Sequence, residues 1–223
     1  MKNIVIDSDD ALHRVIRDHG DMHLFFRGED SASYALRPKY GRYQASDARN
    51  TPEGELGLLI EFKRRAGPLL EHSPANDWEW LAVAQHFGLV TRLLDWTESP
   101  LVAAFFAVRR PAALGDRVVY ALDPLKIAHA NEAVSPFSTA GVVIYRPKHI
   151  AARITAQSGI FTVHGPPVEP FASDALERWV IPQAAIAAIY STLYSYQINE
   201  ASLFPDLDGL ARHLKIWMVR GIQ

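Results

Sequence analysis

Residues 80–108, WLAVAQHFGLVTRLLDWTESPLVAAFFAV, constrain this chain more than any other stretch. Two apolar runs enclose a polar strip that holds Gln85, His86, Thr91, Arg92, Asp95, Trp96, Thr97, Glu98 and Ser99. The first run has a helical pattern, with Asp77 placed as its cap and Gly88 as its stop. The second opens on Ser99 as cap and Pro100 at the first helical position, where the missing N–H of proline is no loss. The strip between them reads as a connector or a short strand. Two buried helices then hold a row of polar side chains at one cleft. Gln85 and His86 stand at its mouth, and the free N–H groups of the second helix point back towards it, an arrangement suited to an anion. Thr97 and Ser99 fall on one side of an extended segment. The plainer reading is that Asp95, Thr97 and Ser99 only satisfy backbone groups as turn and cap residues.

The rest of the chain supplies a frame for that strip. DSDDALHRVIRDHG reads as a capped helix and MHLFFRGE as a buried strand ending on a charge. DSASYALRPKYGRYQASDARNTP reads as loop. EGELGLLIEFKRRAGPLL reads as a helix with Leu56, Leu59, Ile60 and Lys63 on one side. DRVVYALD, GVVIYRP, IFTVHG, RWVIP and AAIYSTLY are short, β-branched or aromatic, and read as strands. LDGLARHLKIWM returns to helix. Helices interleaved with one strand, then strands, then a helix predict an α+β fold with a mixed or antiparallel sheet in a single domain, residues 1–223.

Composition narrows the chemistry. Hydrophobic residues are 48% and charged residues 22% of 223, ordinary globular values. The formal net charge of -2 gives no global field that would draw in nucleic acid or anionic lipid. Cysteine is absent, which excludes thiolate chemistry and fits a reducing cytosol. With no signal-like N-terminus and no apolar run of spanning length, the expectation is a cytoplasmic protein without membrane contact. The histidines are scattered, so no metal site is expected. Dinucleotide, P-loop and nucleophile-elbow fingerprints are missing.

Arg27 ends an apolar run and precedes Gly28. A buried arginine needs anionic or carbonyl partners. The functional reading is a fork onto a phosphate or carboxylate, with Gly28 allowing a ligand or another backbone to come close. The structural reading is a pair with a carboxylate such as Asp95. Of the late acidic residues, Asp206 and Asp208 have a capping explanation, whereas Glu200 follows the strand-like YSYQIN and has none.

Phe26-Arg27-Gly28, QHFGLVTRLLDWTESPLVAAFFA at 85–107, RITAQSGIFTVH at 153–164 and SLFPDLDGLA at 202–211 together resemble the FRG domain family, over a core of about residues 20–215. That family is associated with bacterial and phage-related proteins, some in conflict systems. The resemblance thus implies a toxin or phage-defence effector with an antitoxin or regulatory partner. A second resemblance is to NAD-dependent ADP-ribosyltransferases of the arginine–serine–glutamate type, which carry an aromatic-Arg-Gly strand, a Ser-Thr-Ser strand followed by a helix, and a late strand with the catalytic glutamate. Phe26-Arg27-Gly28 is similar to the first and Thr97-Glu98-Ser99 to the second, with Glu98 where Thr is usual; Glu200 is the candidate for the third. This resemblance implies an ADP-ribosyltransferase-like fold and NAD as substrate. The catalytic set it implies is Glu200, Arg27 and Ser99. Arg27, Gly28, His86, Arg92, Thr97 and Ser99 would hold NAD, with Arg27 on the pyrophosphate. Ile198, two before Glu200, departs from the Glu or Gln of protein-modifying members, which favours a nucleic acid or other acceptor over protein arginine. The alternatives are a non-catalytic nucleotide- or protein-binding module, and a nuclease or other hydrolase using Asp95, Glu98 and Glu200.

Overall fold

The computed structural model describes residues 1–46, 52–110, 114–147 and 159–220. The chain begins with strand β1 (Lys2–Val5) and helix α1 (Asp9–Asp18), capped by the Ser8 hydroxyl, which accepts from the Ala11 N–H. Strand β2 (Phe25–Glu29) carries Arg27 at its centre, not at its end. Helices α2 (Lys39–Ser46), α3 (Pro52–Ala66) and α4 (Asp77–His86) follow, then β3 (Leu93–Thr97) and α5 (Pro100–Val108). The second half holds β4 (Arg117–Leu122), β5 (Ala128–His129), β6 (Gly141–Tyr145), β7 (Gly159–Gly165) and β8 (Leu176–Ile181). Helices α6 (Ile186–Ser195), α7 (Glu200–Leu203) and α8 (Leu207–Arg220) close it.

All strands join one sheet in the order β1-β8-β4-β2-β3-β7-β6-β5. β1 runs parallel to β8 and β5 to β6, and the remaining pairings are antiparallel. The α+β class and the mixed sheet therefore hold. One face of the sheet, through Phe26, Val119, Ala121 and Trp179, packs on α1, α5 and α6. The other, through Phe25, Trp96, Tyr120 and Leu122, packs on Leu36, Phe171 and Ala175. A third cluster sets α3 and α4 against Leu93, Phe161 and Val163.

Several elements differ from the sequence reading. The segment read as loop contains α2, which is anchored by buried Tyr40, whose backbone N–H donates to the Thr91 carbonyl. AAIYSTLY is helix α6, not a strand, because Ile186, Ile189, Tyr190 and Leu193 are buried at helical spacing. In α3 the buried side chains are Glu55, Leu59 and Ala66, while Leu56 and Ile60 face solvent. The cap of α4 is Asn76, whose side chain accepts from the Glu79 N–H, not Asp77. β1 was missed, its lone parallel ladder to β8 being invisible locally. No described helix is long and apolar enough to cross a membrane.

Candidate functional site

The sheet is split beside Arg27. β2 pairs with β4 along its whole length, Phe25–Glu29 against Leu122–Val118, and β3 pairs with β7 from Leu93 to Thr97. Between β2 and β3 the register holds at Phe26 and Thr97 alone. Beyond that pair the strands diverge, and a cleft of about 320 Å³ opens where they part. That volume is within the range of small-molecule sites. Its walls are Arg27 and Gly28 on β2, Asp95 and Thr97 on β3, Gln85 and His86 at the end of α4, and Ala103 and Phe106 on α5. Lys39 and Arg42 of α2 stand at the edge, both exposed, and among the described residues no carboxylate pairs with either.

Arg27 spans the split. Its Nε donates to Glu29 Oε1 at 2.8 Å and its Nη2 lies 2.6 Å from the same oxygen. Its Nη1 donates to the Asp95 carbonyl at 2.8 Å and approaches Asp95 Oδ2 at 3.5 Å. The guanidinium thus satisfies a carbonyl that the missing β2–β3 ladder would otherwise leave open. Burial opposes its charge, but the Glu29 and Asp95 carboxylates outweigh burial and hold its pKa above the ordinary arginine value. The edge of the guanidinium expected to fork onto a phosphate is therefore occupied by Glu29. The pair with Asp95 that the sequence left open is formed.

Gly28 is required by packing against α5. A Cβ built on it would stand 2.6 Å from the Ala107 nitrogen and 3.0 Å from the Ala103 carbonyl carbon, distances side chains do not occupy. The backbone that Gly28 lets in is that of α5. Thr97 lines the cleft, and its hydroxyl accepts from the Ser99 N–H at 3.1 Å. Ser99 is not among the lining residues; its hydroxyl caps α5 by accepting from the Val102 N–H at 3.3 Å. His86 lines the cleft edge-on to Phe87, with ring centroids 4.8 Å apart.

Arg92 and Glu200 lie outside the cleft. Arg92 is buried and turned to Glu55: its Nε donates at 2.9 Å and its Nη2 lies 2.8 Å from Glu55 Oε2. Nη1 takes the Pro136 and Phe137 carbonyls at 3.2 and 3.4 Å, so each guanidinium nitrogen is engaged. Glu200 is not on a strand. It is the first residue of α7, a helix capped by Asn199, and its carboxylate meets Arg212 at 3.2 Å and Arg109 at 4.0 Å. The strand-like YSYQIN is the end of α6 and a turn in which Gln197 has φ 61. Glu98 pairs with Arg146 at 2.9 Å, so Asp95, Glu98 and Glu200 each have a different set of partners.

Four lining or supporting residues, Lys39, Arg42, Thr162 and His164, were missed by sequence reasoning. Lys39 and Arg42 belong to a short basic run with Arg37, which in sequence reads only as a solvated face. Behind the cleft runs a buried chain on β3 and β7: the Trp96 indole N–H donates to Thr162 Oγ1 at 2.8 Å, and that hydroxyl meets His164 Nε2 at 2.9 Å. Thr162 accepts from Trp96, and its hydroxyl shares the next hydrogen bond with His164, which is held neutral. Burial, and then the nearby Arg27 charge, push the His164 pKa down to about 3.

Residues 22–115 match the family model of the FRG domain. That span runs from just before β2 to the end of α5 and contains every lining residue named above. Residues 153–158 of the later resembling block lie outside the described residues. No curated protein and no solved structure matches the chain.

Proposed function

This chain carries an FRG domain, and from that premise we propose that the cleft binds a nucleotide diphosphate, that the nucleotide is NAD+, and that the protein uses it as an ADP-ribosyl donor. The observation that carries the reading is the split between β2 and β3, which sets an aromatic-Arg-Gly strand beside a strand ending in Thr97 and followed at once by α5. That adjacency is what the resemblance to ADP-ribosyltransferases implies for its first two motifs. The cations Lys39 and Arg42 at the edge, which pair with no carboxylate among the described residues, suit a pyrophosphate, and Arg27 serves by holding the cleft wall open instead of forking onto the phosphate. Thr97 and His86, which line the cleft, are assigned the ribose contacts in this reading. The acceptor is proposed to be a nucleic acid or another non-arginine group, in a toxin or phage-defence setting.

The pairing of Arg27 with Glu29 and Asp95 favours a second reading, a nucleotide-binding module without turnover. One experiment separates them. Calorimetric titration with NAD+ is expected to show binding that weakens about tenfold or more in Lys39→Ala/Arg42→Ala, the scale of losing one or two charge-assisted contacts. Nicotinamide release from labelled NAD+ in the presence of cell extract is expected for the transferase. Binding without release supports the module, and no binding refutes both.

A further inference from the structure

If NAD+ is cleaved here, a negative charge must face the ribose, and Glu200 is not in the cleft. Among the described residues that line it, Asp95 is the one acid. Its side chain is 61% exposed, so it meets the cleft and not the core. Its orientation is fixed from behind. The buried Thr91 hydroxyl accepts from the Leu93 N–H at 3.1 Å and so must give its own proton to Gln85 Oε1, with which it is in hydrogen-bond contact. The Gln85 amide nitrogen is thereby turned to Asp95 Oδ2, to which it donates at 2.9 Å, and to the Leu93 carbonyl at 3.4 Å. Arg27 Nη1 reaches the same Oδ2. Both donors hold one oxygen, and Oδ1 has no partner among the described residues.

We propose that Asp95 is the catalytic carboxylate of this cleft and that Gln85 is its positioning residue; the inference rests on the NAD+ reading above. In the reaction, the bond from ribose C1′ to the nicotinamide nitrogen breaks, and both electrons leave with neutral nicotinamide. C1′ and the ring oxygen share the positive charge that remains. The acceptor's hydroxyl or amine forms the new bond to C1′ and releases its proton to water. The Asp95 carboxylate, oriented through Oδ2 by Gln85, opposes the charge on the ribose while it exists. Such preorganised charge acts mainly in the transition state.

The experiment measures nicotinamide release, NAD+ affinity by calorimetry and thermal melting on the full chain and on Asp95→Asn, Asp95→Glu, Gln85→Ala and Glu200→Gln. Asp95→Asn is expected to lower kcat about 100-fold or more, the scale of losing one preorganised group. Its NAD+ affinity should be unchanged or tighter, because a negative charge near the phosphate-holding cations is gone. A purely structural Asp95 would do the opposite, loosening Arg27 and weakening binding. Asp95→Glu keeps the charge but displaces it and should retain part of the activity. Gln85→Ala should lower kcat about tenfold or more with KM little changed, as expected for misplacement of a reacting group. Glu200→Gln should release nicotinamide at close to the unaltered rate. Equal turnover in Asp95→Asn and the unaltered chain overturns the inference and leaves the NAD+ reading standing. Loss of turnover in a folded Glu200→Gln with Asp95→Asn active also overturns it. An unaltered chain that neither binds nor cleaves NAD+ removes the proposed function and the inference with it.

Discussion

Replacing Gly28 by Ala tests whether the glycine exists for α5 or for a ligand. Each backbone atom near the added Cβ belongs to α5: the Ala107 nitrogen at 2.6 Å, the Ala103 carbonyl carbon at 3.0 Å, and the Ala103 carbonyl oxygen closer still. Relief needs roughly an ångström of retreat by a helix that also carries Val102, Ala104, Phe105 and Val108 into the core. A rigid interior resists such a shift, and overpacking of this kind costs about 1–3 kcal/mol. Because the clash is with backbone, we place the cost at about 2–3 kcal/mol, which for a chain of this size lowers Tm by about 4–12 °C. Gly57 supplies the control. It lies inside α3 with no atom within 4 Å of its would-be Cβ, so Gly57→Ala should raise stability by roughly 0.5–1 kcal/mol through helix propensity alone. Urea and thermal denaturation of the two variants against the unaltered chain decide the matter. A Gly28→Ala protein melting within about 1 °C of the parent would refute the packing argument and return the glycine to a ligand role.

Two further expectations follow from the buried charges. Arg92→Ala strands Glu55 in the core, where the pair is 3% and 1% exposed, so the loss should be about 3–5 kcal/mol by urea denaturation; a loss below about 1 kcal/mol would mean the pair contributes nothing. His164 is neutral in the folded protein down to about pH 3 but titrates near pH 6.5 when unfolded, so the unfolded state binds the extra proton between those values and stability falls as pH falls through that window. The slope should approach about 1.4 kcal/mol per pH unit, and His164→Gln should remove that part of it, as read from melts taken between pH 7 and pH 4.

The polar strip that dominates the sequence was legible because capping and proline rules act locally. Ser99 and Pro100 announced α5, and the strip did become a strand between two helices at a cleft. What the same rules could not decide was which way each polar side chain turns. Arg27 and Arg92 look alike in sequence, each near an apolar run and each able to hold an anion. The fold sends one to the split in the sheet and the other to Glu55, a partner 37 positions away. Glu55 itself lies one turn before Leu59 on the buried side of α3, which is turned away from Leu56 and Ile60; a buried carboxylate contributes no hydrophobic signal. The strand expected before Glu200 failed for a related reason. β-branched and aromatic residues over 187–194 read as strand, yet with burial recurring at 186, 189, 190 and 193 they form α6, and Glu200 opens a capped helix turn instead of ending a strand. The cleft carboxylate that remains, Asp95, was already in view, but as a partner for Arg27. Only the geometry separates its two oxygens: Oδ2 is held by Gln85 and Arg27, and Oδ1 has no partner among the described residues. A pair can be read from composition and proximity, whereas which oxygen of a carboxylate its partners take is a property of three dimensions.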